Sequence, residues 1–278
     1  MRGAASLAYL LARTSDTLAD TAAAPPEMRR ECLEHFYHAL TETGNSPRWP
    51  LAMIRAVDDP REKLLLESQD LLFAWFGGLS AGEAQLVREV VGIIIGGQRL
   101  DLDRFARADG AQPVRLPDDA ALEDYTWRVA GCVGAFWTKL GLLTMEDRFS
   151  QTPANVLLDW GISYGKGLQL VNILRDLPAD LAAGRCYLPV ADAHDTRALL
   201  EEHGRWEKRA REWIASGMDY AATLASRRLR AATALPAMLA RETLERMHGA
   251  TWAELQSRVK VPRSRVYLAL VRALAGGL

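Results

Sequence analysis

Cysteine is scarce, with three in 278 residues: Cys32, Cys132 and Cys186 are odd in number, far apart and without Cys-x-x-Cys spacing. That scarcity argues against a disulfide framework and a structural zinc knuckle, and favours reduced thiols in a cytoplasmic setting. An excess of charge is also missing: 34 Lys and Arg stand against 35 Asp and Glu, a formal net charge of -1. No global field recruits nucleic acid, so any anion must be held by a local cluster. No run reaches the roughly 18 apolar residues of a membrane span. The opening MRGAASLAYLLARTSD sets a short apolar run behind Arg2 in the manner of a secretory signal, but Arg13 and Asp16 interrupt it before a convincing cleavage site. Nothing reads as an alternating strand. Only GIIIGG at 92–97 has strand composition, and its helical flanks overrule it.

What is present is helix after helix. An alanine- and leucine-rich segment at 3–22 ends at Ala-Ala-Ala-Pro-Pro, and a second runs over 26–43 with Gly44 behind it. Asp59-Pro60 opens a helix to about Phe76, and Ser80 with Glu83 makes a capping-box pattern for the next, to about Ala106. A loop over 108–117 precedes a long helix from Asp118 or Asp119 to about Leu143, in which Gly131, Gly134 and Gly141 imply close backbone approach. Thr152-Pro153 starts a central helix, and helical patterns follow at 204–231, 236–247 and 262–275, divided by Pro236, Gly249 and Pro262. The 49% apolar composition and the absence of a repeat or low-complexity linker predict a single all-α domain over 1–278.

Two polar stripes carry the chemistry. On the central helix Gly165, Gln169, Asn172 and Asp176 fall at i, i+4, i+7 and i+11 against a backdrop of Leu168, Leu170, Val171, Ile173 and Leu174. Amides and carboxylates on so apolar a helix point to a cavity for ions or water. Asp180, a Gly184-Arg185 turn and Tyr187-Leu188-Pro189 follow. On the first helix Tyr9, Arg13, Asp16 and Asp20 share a face. One Asp-x-x-x-Asp pair alone reads as a solvated helix face or as structural ion pairs. Two pairs, Asp16/Asp20 and Asp176/Asp180, each with amide or arginine companions, read instead as oxygen ligands for Mg²⁺, with waters and substrate phosphates completing the octahedron. Facing one another across a bundle, they are expected to hold several Mg²⁺ ions and a diphosphate, with Arg13, Arg175 and Arg185 on its oxygens. Pro178 removes a helical hydrogen bond to the Leu174 carbonyl, so the helix is expected to end there and leave Asp180 less well aimed.

The segments ARTSDTLAD at 12–20, DYTWRVAG at 124–131 and, above all, LQLVNILRDLPADLAAGRCYLP at 168–189 resemble the trans-isoprenyl head-to-head condensing enzymes, the squalene and phytoene synthases. The resemblance covers nearly all the chain and is most like the bacterial squalene synthases. It implies the isoprenoid (terpenoid) synthase helical bundle with a central cavity, Mg²⁺, and two allylic diphosphate substrates joined through a cyclopropyl intermediate. For squalene, two farnesyl diphosphates pass through presqualene diphosphate, with NADPH as reductant; phytoene from geranylgeranyl diphosphate and dehydrosqualene are the close variants. Carried over, Asp16, Asp20, Asp176 and Asp180 are magnesium ligands, Gln169 and Asn172 support ion or diphosphate, and Arg13, Arg175 and Arg185 hold diphosphate oxygens. Tyr125 lines the cavity as a proton relay or dipole; from the residues alone it reads as a core tyrosine. Family members have some forty residues before the first aspartate motif, including a Ser-rich segment. With Asp16 so early, the true start lies upstream or the chain is a shortened member with impaired substrate handling.

Other signals carry less. Cys32, His35 and His38 lack a fourth ligand for zinc. Lys208, Arg209 and Arg211, and Arg227, Arg228 and Arg230, read as solvated faces or as a peripheral contact with membrane headgroups. The eight tryptophans serve the core and cavity wall, as no basic groove surrounds them to suit nucleic acid. A non-catalytic helical binding or assembly protein descended from the family is the reading of a different class.

Overall fold

The computed structural model describes residues 1–275 and is all-α, as the sequence predicts. Its residues group into two compact units, Met1–Ala106 and Arg107–Leu278.

In the first unit, α1 (Arg2–Asp20) buries Ala4, Leu7, Ala8, Leu11 and Leu18, a repeat of three and four that makes one apolar stripe. It packs on α6 (Ala81–Arg104), whose Val87, Val90, Val91, Ile94 and Ile95 face inward, so the GIIIGG stretch is helix. Between them lie α2 (Pro26–His38), continued by a π-helical turn at Ala39–Thr43, and the short α3 (Leu51–Ala56), α4 (Pro60–Glu67) and α5 (Gln69–Gly77). The caps are those the sequence marks: Asp59 accepts from the Arg61 amide at 2.7 Å, and Ser80 and Glu83 form the reciprocal capping box. The helix expected from Pro60 to Phe76 is broken at Ser68 into α4 and α5.

In the second unit, α7 (Asp119–Thr126), a π-helical turn at Trp127–Gly131 and α8 (Cys132–Met145) run on from one another, with Asp118 capping the Ala121 amide at 2.8 Å. Alongside lies α9 (Ala154–Ala182). The two approach backbone to backbone: a methyl built on Gly134 would stand 1.8 Å from the Gly161 carbonyl oxygen, and one on Gly165 would stand 2.2 Å from that of Ala130. Only glycine permits this. Next come α10 (Thr196–Thr223), α11 (Arg227–Met247), α12 (Trp252–Gln256) and α13 (Arg263–Ala275). A two-residue parallel pairing joins β1 (Val114–Arg115) to β2 (Arg185–Cys186).

The sequence expectations need three corrections here. The helix placed at 204–231 begins at Thr196, where Asp195 accepts from the Arg197 and Ala198 amides at 2.9 and 3.1 Å. It stops at Thr223, because Ser150 hydrogen-bonds the Thr223 carbonyl and Ala225 donates to the Phe149 carbonyl at 2.9 Å. Pro236 does not divide two helices; α11 runs through it, and in the turn before the proline the Thr233 carbonyl accepts the Tyr164 hydroxyl at 2.7 Å. Nor does Pro178 end the central helix, which continues to Ala182.

Candidate active site

Asp16 sits half-buried on α1, where Gln98 of α6 donates to its Oδ1 at 2.7 Å. Burial first, and then the charge of Asp20 one turn on, push its pKa up to about 6; Arg13 and the Gln98 hydrogen bond pull the other way. Asp20 is exposed. Arg13, at the head of the same stripe, directs its guanidinium to Glu62 of α4. Tyr9 is 67% exposed. The unit therefore holds two carboxylates a turn apart, one of them partly desolvated, with an amide as its hydrogen-bond donor. That set suits a hard dication, which the like charges of the pair would attract.

On α9 the same spacing has different companions. Arg175 lies over its neighbour Asp176 as a two-pronged fork, with Nε 3.0 Å from Oδ1 and Nη2 on Oδ2, and this pairing pushes the guanidinium pKa up. Asp180 receives Arg185 Nη2 at 3.1 Å. Burial raises the Asp180 pKa, Arg185 lowers it in part, and the charge of Asp176 raises it further. Because α9 stays helical past Pro178, Asp176 and Asp180 keep their one-turn relation, contrary to the expected misalignment.

Arg185 owes its place to the loop that carries it. Val114 donates to the Gly184 carbonyl at 2.8 Å and Leu116 to the Cys186 carbonyl at 3.0 Å, which fastens the segment alongside residues 114–116. Gly184 has φ 81°, and a methyl there would strike the Asp109 backbone at 2.5 Å. Two residues past Arg185, Tyr187 stacks on Tyr125 with ring centroids 4.6 Å apart and planes at 26°. Both rings are buried. Gln169 is half-buried and Asn172 exposed.

Within the second unit the structure thus brings Arg175 to Asp176 and Arg185 to Asp180, and sets Tyr125 against the Arg185 segment. Three partners were not identified from the sequence: Gln98, Glu62 and the tyrosine-stacking role of Tyr187. Lys166 is a fourth, bonded to Glu123 at 2.7 Å and lying 4.2 Å from the centre of the Trp213 ring, which anchors the helix beside Gly165. Among the described residues no group of three or more His, Cys, Asp and Glu side chains converges as a protein-only metal cage. Magnesium held through one or two carboxylates plus phosphate and water needs no such cage.

Comparison with known proteins bears on the family and the fold. The family model described as squalene/phytoene synthase matches residues 1–265. A presqualene diphosphate synthase of Zymomonas mobilis is 26% identical over 181 residues, 65% of this chain and 49% of that protein. A 15-cis-phytoene synthase of Synechocystis is 36% identical over 102 residues, 36% of this chain and 28% of that one. The chain spans about half the length or less of these relatives. Among solved structures, a complex of TcSQS with a ligand superposes with TM-score 0.77 at 20% identity, covering 98% of this chain and 78% of the other. A ligand-bound dehydrosqualene synthase gives 0.61 at 21%, covering 98% and 86%. At such identities the likeness speaks for the fold.

Proposed function

The chain belongs to the squalene/phytoene synthase family, and on that premise we propose that it is a prenyl-transferring enzyme joining two allylic isoprenyl diphosphates head to head. Its substrate on this reading is farnesyl diphosphate, condensed to presqualene diphosphate and, with NADPH, reduced to squalene. The observation that carries the reading is the α9 turn, where two carboxylates one helical turn apart each hold a guanidinium.

Asp16, Asp20, Asp176 and Asp180 would hold Mg²⁺, which when bound supplies Lewis acidity toward a departing diphosphate. The arginines supply the rest of the anion recognition. Arg175 and Arg185 each pair with a carboxylate, Arg175 through a two-pronged contact and Arg185 through one bond, and each would exchange that carboxylate for phosphate oxygens, for which the planar guanidinium is suited. Arg13 exchanges Glu62 in the same way, with Gln169 and Asn172 as further polar contacts on the α9 stripe. Tyr125, buried face to face with Tyr187, presents an aromatic π-face suited to an allylic cation and a hydroxyl suited to a proton relay. Tyr187 fixes its ring plane.

A peripheral bilayer contact has one observation behind it. Tyr267, Val271 and Leu274 recur at four and three residues along α13 and are 65, 62 and 58% exposed. From residue 255 to 275 the chain carries Arg258, Lys260, Arg263, Arg265 and Arg272 and no carboxylate, the sign that an anionic headgroup layer attracts.

The test is product analysis. Folded protein is incubated with Mg²⁺ and farnesyl or geranylgeranyl diphosphate, with and without NADPH, and the lipid extract is read by mass spectrometry. Presqualene diphosphate without reductant and squalene with it are expected. Phytoene from the longer substrate would redirect the reading within the family, and no condensation from either would favour a non-catalytic binding protein.

A further inference from the structure

On α1 the hydrogen bond to the first carboxylate of the pair comes from a neutral group. Gln98 Nε2, on α6, donates to Asp16 Oδ1 at 2.7 Å, while Arg13, a turn earlier on α1, gives its guanidinium to Glu62. The other end of the amide is left unmet: Gln98 Oε1 is buried and has no hydrogen-bond partner among the described residues. A buried acceptor without a donor costs stability, and such atoms are few in folded proteins. Exchanging the two ends of the amide would not help, because it would set Oε1 against a carboxylate oxygen, acceptor facing acceptor. The N–H is thus committed to Asp16, and the unmet oxygen is its consequence.

An amide does for a carboxylate what a guanidinium cannot. It holds one oxygen in a fixed direction without bringing positive charge, so it does not compete with an incoming cation. On α9 the partners of the pair are both guanidinium groups. Groups that hydrogen-bond a metal-binding carboxylate fix its orientation, and their loss weakens metal binding by about tenfold or more.

We propose that Gln98 is a positioning residue for cation capture at α1: its N–H holds Asp16 Oδ1 and leaves Oδ2 for a hard dication, without adding positive charge to the pair. Its role rests on the reading of Asp16 and Asp20 as metal ligands.

The test titrates Mn²⁺, a dication suited to the same oxygen ligands as Mg²⁺, and reads the free ion by electron paramagnetic resonance. The parent is the full chain carrying Asp176→Asn/Asp180→Asn, so that of the two pairs only that on α1 keeps its carboxylates, at about pH 8, where Asp16 is ionised. Gln98→Met keeps the length of the side chain and removes the donor. It is expected to weaken Mn²⁺ binding about tenfold with circular dichroism unchanged. Gln98→Lys keeps a donor but sets a charge beside the pair, and should weaken binding at least as much. With Asp16→Asn present, Gln98→Met should make no further difference. Unchanged affinity in Gln98→Met, or an equal loss with and without Asp16→Asn, would overturn the proposal, since the amide would then serve packing alone. Parental affinity in Gln98→Lys would overturn the requirement for a neutral donor. Should Gln98→Met fail to fold, Gln98→Ala takes its place in the same cycle with the same expectations. No Mn²⁺ bound by the parent would end the metal reading of the α1 pair and this proposal with it, whereas binding that Gln98→Met leaves intact would end the proposal alone.

Discussion

The pairs on α1 and α9 have the same spacing, Asp-x-x-x-Asp, and different side-chain partners. On α1 the nearby guanidinium of Arg13 goes to Glu62, Asp16 keeps an amide, and burial with a like charge lifts its pKa to about 6. On α9 each carboxylate has a guanidinium of its own. Spacing alone therefore does not fix what a carboxylate pair is ready to bind. On α1 desolvation and a like charge outweigh the pull of Arg13 on Asp16, which favours gain of a proton or a cation there. On α9 each carboxylate has a guanidinium partner, which under the proposed function would exchange it for phosphate oxygens.

The largest effect should come from α9. Asp176→Asn is expected to lower turnover by about two orders of magnitude or more, because it removes a ligand charge and also one arm of the Arg175 fork, while circular dichroism shows an intact fold. Asp180→Asn should cost a similar factor, since α9 stays helical past Pro178. A variant retaining full turnover would remove its residue from the metal assignment. Next is Arg185→Lys, which replaces a planar fork by a single ammonium and should weaken Mg²⁺-dependent pyrophosphate binding about tenfold by calorimetry. Unchanged affinity would leave Arg185 a structural partner of Asp180.

A smaller effect of opposite sign separates the pairs. A carboxyl whose folded pKa is raised binds protons more readily in the folded state, so its contribution to stability is lost as pH rises from the ordinary 3.8 through about 6. In metal-free protein at pH 7, Asp16→Asn should therefore raise Tm by a few degrees, roughly 1 kcal/mol after allowing for partial exposure. Asp176→Asn, which strands a guanidinium, should not. Equal shifts in thermal melts would erase the contrast drawn between the helices.

His203 should give a pH signature with its own sign. Burial holds its pKa below the ordinary 6.5, against the pull of Glu207 and the Leu174 carbonyl. The unfolded chain takes up that proton first as pH falls, so stability should drop below about pH 6.5 in the native chain and less in His203→Asn. Parallel denaturant midpoints for the two from pH 7 to 5.5 would contradict this. The smallest effect concerns α13. Tyr267→Ser with Val271→Ser should reduce flotation with vesicles containing anionic phospholipid and leave soluble turnover unchanged. No flotation of the unmutated protein would remove the bilayer from the account.

How much of this was legible follows from the range over which each signal acts. Caps act within three residues, so Asp59, Ser80 with Glu83, and Asp118 were readable in the sequence, as were the stripes of α1 and α9 at helical spacing. Glycines at 131, 134 and 141 announced close approach, although the partners, Lys166, Gly161 and Phe149, came only with the fold. What local reading missed was supplied from a distance. Pro178 and Pro236 look like helix ends, yet α9 and α11 run through them, and beside Pro236 the Tyr164 hydroxyl reaches the Thr233 carbonyl from 69 residues away. The break after Thr223 carries neither proline nor glycine and is made by Phe149 and Ser150. Gln98 lies 82 residues from Asp16, and Glu62 lies 49 from Arg13, beyond the reach of any spacing rule.

Under the proposed function both carboxylate pairs are required for one metal-dependent condensation, and the most direct measurement removes each pair in turn. Farnesyl diphosphate and Mg²⁺ are given to the unmutated protein, to Asp16→Asn/Asp20→Asn and to Asp176→Asn/Asp180→Asn, all shown to be folded, and condensed product is quantified by mass spectrometry. Product from the first and essentially none from either double variant is the predicted result. Turnover by either double variant at the unmutated rate would contradict it, because that pair would then be a solvated helix face and nothing more.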